Sequence, residues 1–441
     1  MALPELIEIT PLQQPVRAAI TVPGSKSITN RALILAALAD GETILRGGLW
    51  SEDTQVMVEC LQELGFLVTV GTDPEEPCNR TITIYGKHGV VPAGGSETRP
   101  VELFAANAGT AARFLTAFVC LGKGAYRIHG TDRMHERPQA ALFKALRQLG
   151  YRIESSNDRL PAMVYGGGTQ RGKCLVSVLE SSQFASALLL CAGVGGWQVE
   201  VEGESEENLP YVRMTSELAR AFPKSGGEFP IEPDASSGSY FWAAGKLSGI
   251  LSHPSGDIRV VRWPGSGWQV DQRFPEFLAP PPTEGGGMPR PVFTKETISR
   301  RHDLADSIMT AIVLAPFSPT PVRFTDLGRL RVQECERVRA LKTELTRCGA
   351  EVVEAGDTLR VHPSALHGGE IETYEDHRMA MCFAVLGLKV PGIRIRDPRC
   401  VRKTFPDFFQ KLASPPPGGL GVLIRNPQTG GILASEELLA E

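Results

Sequence analysis

The sequence predicts an α/β protein of two domains, and three observations carry that prediction. A chain of 441 residues is too long for one ordinary hydrophobic core. With 42% apolar and 22% charged residues, its balance is that of a folded soluble protein. One design also recurs: a run of helical period, a Leu or Cys followed by Gly, then a strand-like run. It occurs in "VMVECLQELGFLVTV" (56–70), "ALFKALRQLGYRIES" (141–155) and "ALKTELTRCGAEVVE" (340–354). Gly65, Gly150 and Gly349 sit where a helix stops and the chain reverses into a strand, so the protein reads as copies of one supersecondary unit.

Taken in order, the first element is "VPGSKSITNRALILAALADGE" (22–42). Pro23 and Gly24 break the chain, an apolar run follows from Ala32 to Ala39, and Gly41 is expected near the helix C-terminus. Lys26, Ser27 and Arg31 stand at the helix start, where free N–H groups favour an anion; the alternative is a capped helix with solvated charges. The Gly and Lys spacing excludes a nucleotide P-loop. In "NAGTAARFL" (107–115), Asn107, Gly109 and Thr110 open a helix carrying Arg113, and "GTDRMHERP" (130–138) is expected to hold Arg133 and Arg137 in a loop. "ESSQFASALLL" (180–190) is a second anion-type helix start, with Ser181, Ser182 and Gln183 ahead of a buried run. "LRVQECERVRALKTEL" (330–345), "YEDHRMAM" (374–381) and "CVRKTFPDF" (400–408) add further Arg and Lys clusters. Each alone also reads as a solvated face; together they supply the cations two anionic substrates need. The stretch from Pro275 to Arg290 reads as a loop, and "GVLIRN" (421–426) as a late strand.

Composition excludes several classes. A formal charge of −4 makes no case for nucleic acid or a membrane surface. The longest apolar stretch, Ala185 to Val194, is too short to span a bilayer, and no secretory leader is expected. Nine cysteines without a C-x-x-C pair suggest reduced thiols in a cytoplasm, and eight histidines without H-E-x-x-H give no metal site. No cofactor is expected, and the expected state is a monomer.

"PGSKSITNR", "NAGTAAR", "DRMHERP", "SSQF", "DASSGSY" (234–240), "YEDHRMAM" and "KTFPDFF" (403–409) together resemble the 5-enolpyruvylshikimate-3-phosphate synthase family, in family order over roughly residues 10–415. The resemblance implies a two-domain enolpyruvyl transferase fold, an inside-out α/β barrel with three βαβαββ repeats in each domain. One domain would hold 1–22 plus 234–441, the other 23–233, with a hinge near 22 and 233 and a cleft that closes on substrate. It further implies transfer of the enolpyruvyl group of phosphoenolpyruvate to the 5-hydroxyl of shikimate 3-phosphate, without metal or organic cofactor.

By the same resemblance Lys26, Ser27, Arg31, Ser181, Ser182 and Gln183 meet shikimate 3-phosphate, with Lys26 also reaching phosphoenolpyruvate and counted with the catalytic residues. Arg133, Arg337, Arg378 and Lys403 form the phosphoenolpyruvate clamp. Asn107 and Gly109 belong to the same pocket, which Gly109 lines closely and glyphosate is expected to occupy. Asp306, in "LADSIMT" (304–310), matches the carboxylate that takes the 5-hydroxyl proton, and Glu334 the partner that handles the proton at the methylene carbon. Read as residues only, Asp306 also fits a helix-start cap and Glu334 a surface ion pair with Arg337 or Arg331.

Departures from the family pattern gather on the shikimate-phosphate side. Gln333 stands where the family has Lys, Arg329 where it has Asn, Asn208 where it has Ser, His135 where Lys is usual and Ala106 where Gly is typical. Gln333→Lys is accordingly expected to tighten shikimate 3-phosphate binding or leave it unchanged, with Arg329 as the neighbour that compensates. The shortened stretch 275–290 suggests one degraded repeat. Two other readings stay open: the sister transferase acting on UDP-N-acetylglucosamine, which carries Asn after its Lys where this chain has Ser27, and a non-catalytic anion-binding paralogue.

Overall fold

The three repeated glycines end their helices by one hydrogen-bond pattern. Phe66 N–H donates to Leu61 C=O and Gly65 N–H to Gln62 C=O; Tyr151 and Gly150 do the same to Leu146 and Arg147, and Ala350 and Gly349 to Leu345 and Thr346. Each glycine has φ between +84° and +90°, a conformation costly to any residue with a Cβ. The first unit of the sequence, by contrast, stops differently. Helix Lys26–Leu38 ends at Ala39 in extended backbone, and Gly41, at φ +85°, lies inside strand Asp40–Leu49 rather than at the helix end.

The computed structural model describes residues 3–202, 209–250, 257–280 and 291–440. The chain divides into two compact units, Met1–Pro23 with Pro233–Glu441, and Gly24–Glu232. In the second, strand Val101–Phe104, helix Gly109–Cys120, strand Lys123–His129, helix Ala140–Gln148 and strands Arg152–Glu154 and Ala162–Gly167 form one complete βαβαββ copy. Its first two strands pair parallel and the closing hairpin pairs antiparallel. A second four-stranded sheet takes its outer strand, Gly227–Pro230, from the far end of the unit and sets it parallel to Asp40–Leu49. The third copy holds only the parallel pair Gly172–Val176 and Trp197–Val201.

The other unit follows the same plan. Thr297–Ser299, Ile308–Leu314, Val322–Thr325, Arg337–Arg347, Val352–Ala355 and Thr358–Val361 make a complete copy. A second sheet runs Gly369–Ile371, Ile393–Arg396, Leu6–Ile9, Ile424–Arg425, so the chain's first strand and the late strand at 424–425 complete it. The third copy is again a parallel pair, Arg17–Ile20 with Asp257–Val260. In both units, then, the third repeat lacks the closing hairpin among the described residues. Of the stretch expected as a loop, Phe274–Phe277 forms one helical turn, and 281–290 lie outside the described residues.

Helices occupy the centre of each unit. Lys26–Leu38, Gly109–Cys120 and Gln183–Gly195 pack on one another, and Ile28 to Leu38 and the whole of Gly109–Cys120 are buried. Ala235–Ile250, Ile308–Leu314 and His377–Gly387 do the same in the other unit. A helix apolar on all sides requires cover on all sides, and the sheets supply it. The helix ends, together with the buried Arg31 and Arg113, carry the polar contacts. Among the described residues no helix is long and apolar enough to cross a membrane.

Candidate active site

Residues expected from the sequence to bind substrate gather at the N-termini of these central helices, as two groups, one in each unit. In unit Gly24–Glu232, Lys26 opens its helix and pairs with Asp53 at 2.9 Å, its side chain 17% exposed. Ser182 precedes helix Gln183–Gly195, and Ser181 Oγ accepts the Gln183 N–H at 3.2 Å. Gln183 then joins two helix starts: its Oε1 accepts from Arg113 at 2.6 Å and its Nε2 donates to Thr110 at 3.1 Å. These short apolar helices bring free N–H groups, hydroxyls and one amide together, a setting that favours an anion. Ser27 is half-buried on the same helix start.

Arg31 stands apart from that surface. It is 2% exposed, and its guanidinium donates to Thr215 Oγ1 (2.7 Å), Ser27 C=O (2.8 Å), Ser186 Oγ (3.1 Å) and Tyr211 C=O (3.4 Å) over the ring of Phe114. Burial brings the group down to about 10, still charged at neutral pH. Its donors therefore tie three helices beneath the site.

Arg133 and Arg137 lie on and just after the short helix Asp132–Glu136 rather than in a loop. Arg133 is half-exposed and paired with Glu136 at 2.6 Å. Arg137 turns inward to Asn107, donating to its backbone C=O at 3.0 Å and its side-chain oxygen at 3.4 Å. A Cβ on Gly109 would meet Arg137 Nη2 at 2.6 Å and Arg113 Nη1 at 2.7 Å, so any side chain there would push a guanidinium aside. Asn208 lies outside the described residues.

The second group lies in the other unit. Asp306 Oδ1 meets Arg300 at 3.1 Å and Oδ2 meets Arg378 at 3.2 Å. Burial alone would raise its pKa, but Arg378, Arg300 and Arg337 outweigh that and hold the carboxyl well below the usual range. It is not a helix cap. The cap residue is Ser307, and the carboxylate that gathers the N–H groups of Ala305, Asp306 and Ser307 is the buried Asp271, at 2.7, 3.2 and 3.3 Å.

Glu334 meets Arg337 at 2.9 Å and Lys403 at 3.4 Å. This is no surface pair, because Arg337 is 1% exposed and anchored through two nitrogens on Asp376, at 2.7 and 3.2 Å. Asp376 is itself buried and caps helix His377–Gly387 by accepting the Arg378 N–H at 2.9 Å. Burial works against the Arg337 charge, yet Asp376, Glu334 and Asp306 raise its pKa further. Arg331 goes elsewhere, to Glu336, Glu354 and Asp357. Gln333 Oε1 accepts a hydrogen bond from Arg337 Nη1, so the amide helps to hold the Arg337 guanidinium. One unit thus carries two carboxylates, Asp306 and Glu334, framed by Arg300, Arg337, Arg378 and Lys403. That arrangement can move two protons beside a bound anion.

Sequence reasoning named the clamp cations and both carboxylates but gave no role to Asp53, Asp271, Arg300 or Asp376, nor to Arg113 and Arg137 beyond their motifs. Only Asp376 left a trace, as an Asp two residues before the helix Arg that it caps.

Known proteins share this chain's sequence and fold. The family model described as EPSP synthase (3-phosphoshikimate 1-carboxyvinyltransferase) matches residues 11–223 and 294–412. Proteins named 3-phosphoshikimate 1-carboxyvinyltransferase are 36% identical in Nostoc punctiforme, over 92% of this chain and 98% of that one, and 37% identical in Opitutus terrae, over 94% and 98%. Among solved structures, the EPSP synthase of Acinetobacter baumannii superposes with a TM-score of 0.67 at 20% identity, covering 96% of this chain and all of that one. The enolpyruvyl transferase NikO of Streptomyces tendae gives 0.66 at 15%, covering 97% and 99%. The fold is that of the enolpyruvyl transferases, and the chain belongs to the EPSP synthase (3-phosphoshikimate 1-carboxyvinyltransferase) family.

Proposed function

We propose that this chain transfers the enolpyruvyl group of phosphoenolpyruvate to the 5-hydroxyl of shikimate 3-phosphate, releasing inorganic phosphate. The observation that carries the reading is the pair Asp306 and Glu334, each set between two cations in a chain of this family. In this reaction the 5-hydroxyl loses its proton as its oxygen bonds to C2 of the enol, and C3 gains a proton. Loss of phosphate and of a proton from C3 then restores the double bond. Asp306 is suited to the hydroxyl proton and Glu334 to the proton at C3, while Arg337, Arg378 and Lys403 meet the anionic charge. Lys26, Ser181, Ser182 and Gln183 fit the shikimate phosphate. The free thiols of all nine cysteines support a cytoplasmic setting. Phosphate release that requires both phosphoenolpyruvate and shikimate 3-phosphate tests the reading. Release with UDP-N-acetylglucosamine instead would assign the sister reaction, and no release with either would leave an anion-binding protein.

Two expected outcomes follow from the local contacts. Gln333→Lys would remove the acceptor that Arg337 uses and set an ammonium beside the guanidinium, so the expectation of tighter binding is reversed. Isothermal titration should show weaker phosphoenolpyruvate binding than in the parent and no gain for shikimate 3-phosphate; phosphoenolpyruvate binding at least as tight would mean that the amide is dispensable. Gly109→Ala should displace the Arg137 guanidinium, because Arg113 is pinned by Gln183 and by the Pro138 carbonyl at 3.1 Å. The glyphosate concentration giving half-inhibition should rise, and an unchanged value would place the inhibitor away from Gly109.

A further inference from the structure

Asp306 is held in a way that the proposed reaction does not by itself require. Arg300 follows strand Thr297–Ser299, and its N–H donates to Thr325 C=O at 3.0 Å, which fixes its backbone to the neighbouring strand. The side chain is 8% exposed and directs Nη2 to Asp306 Oδ1 at 3.1 Å. Its Nε is buried without a hydrogen-bond partner among the described residues. A guanidinium placed there for stability alone would be poorly satisfied, since a buried charge is costly unless its donors are engaged. Its hydrogen-bond partner is the Asp306 carboxylate.

Arg378 takes the other oxygen, and Asp271 takes the backbone around it. With both oxygens bridged to guanidiniums, Asp306 is a poor base. We propose that Arg300 is a positioning residue for Asp306: it keeps Oδ1 while an anionic substrate draws Arg378 from Oδ2, so the carboxylate stays aimed and becomes basic only when substrate is bound. The inference rests on the reading that Asp306 receives the 5-hydroxyl proton and Arg378 meets phosphoenolpyruvate. The charged groups facing Asp306 are Arg300 behind its strand, Arg378 on helix His377–Gly387, Arg337 on the next helix, Glu334 ahead of that helix and Asp271 from the turn Val270–Arg273. Tyr240, on helix Ala235–Ile250, faces Arg378 and stays a neutral phenol, its pKa raised by burial.

The test uses Arg300→Met and Arg300→Lys in the full chain, with kcat and KM for phosphoenolpyruvate followed across pH and a urea midpoint for each. Misaiming a catalytic group costs on the order of 10²-fold in turnover. Arg300→Met should lose kcat on that scale while KM stays near the parent value. The acid limb of its kcat profile should move to higher pH, because the ionised carboxylate has lost a cation. Arg300→Lys keeps the charge without the fork, so its limb should stay near the parent while kcat recovers only in part. Parent-like kcat and an unmoved limb in a folded Arg300→Met would overturn the proposal, as would a fall confined to stability. Asp306→Asn separates the two levels: if that variant turns over normally, the reading of Asp306 as base fails first, whereas a slow Asp306→Asn beside a normal Arg300→Met removes only Arg300.

Discussion

Glu334→Gln and Asp306→Asn are each expected to slow turnover by about 10²–10⁴-fold, the usual cost of losing a positioned acid or base. Both changes keep side-chain shape, so the surrounding cations keep a hydrogen-bond acceptor and lose only the charge. Glu334 sits between Arg337 and Lys403, and Asp306 between Arg300 and Arg378, in clusters mostly closed to water. The loss should therefore appear in kcat far more than in KM, because the proton is handled in the transition state and the anion is bound by the cations. Steady-state kinetics on folded protein decides it: near-native kcat in either variant would remove that carboxylate from the chemistry.

Arg337→Met should be the most damaging change to stability. Arg337 and Asp376 are 1% and 0% exposed, and removing one partner of such a pair leaves the other charge buried, at about 3–5 kcal/mol. Set against a total stability of roughly 5–15 kcal/mol, that loss is large. Asp376 would keep the Arg378 N–H and the weaker contact with Cys335 Sγ at 3.5 Å, which do not neutralise it. Urea unfolding is the check, and a change in midpoint equivalent to less than about 1 kcal/mol would show that water reaches this pair.

What the sequence made legible follows from range. Gly65, Gly150 and Gly349 announce their helix ends because the signal lies within one turn, and the matching strands follow directly. Gly41 looked alike but terminates nothing, since the strand it belongs to is set by pairing with Asn79–Lys87, thirty or more residues away. The cations of the candidate site were legible as helix-start clusters, a local feature. Their partners were not. Asp53 for Lys26, Asp271 for the turn carrying Asp306, and Asp376 for Arg337 are single carboxylates whose role exists only after distant segments meet. Arg133 and Arg137 show the same limit at four residues' spacing, where the exposed one joins Glu136 and the inner one joins Asn107. The late strand at 424–425 was legible in kind, but its partner, Leu6–Ile9, lies at the other end of the chain.

Enolpyruvyl transfer through Asp306 and Glu334 requires that C3 gain one proton and lose one. Turnover in deuterium oxide tests it most directly. Protonation makes C3 a freely turning methyl group, so the proton lost when phosphate leaves need not be the one gained. Deuterium should enter the methylene group of the product, at a rate that falls with turnover in Glu334→Gln. Phosphate release with no deuterium at that carbon would contradict it.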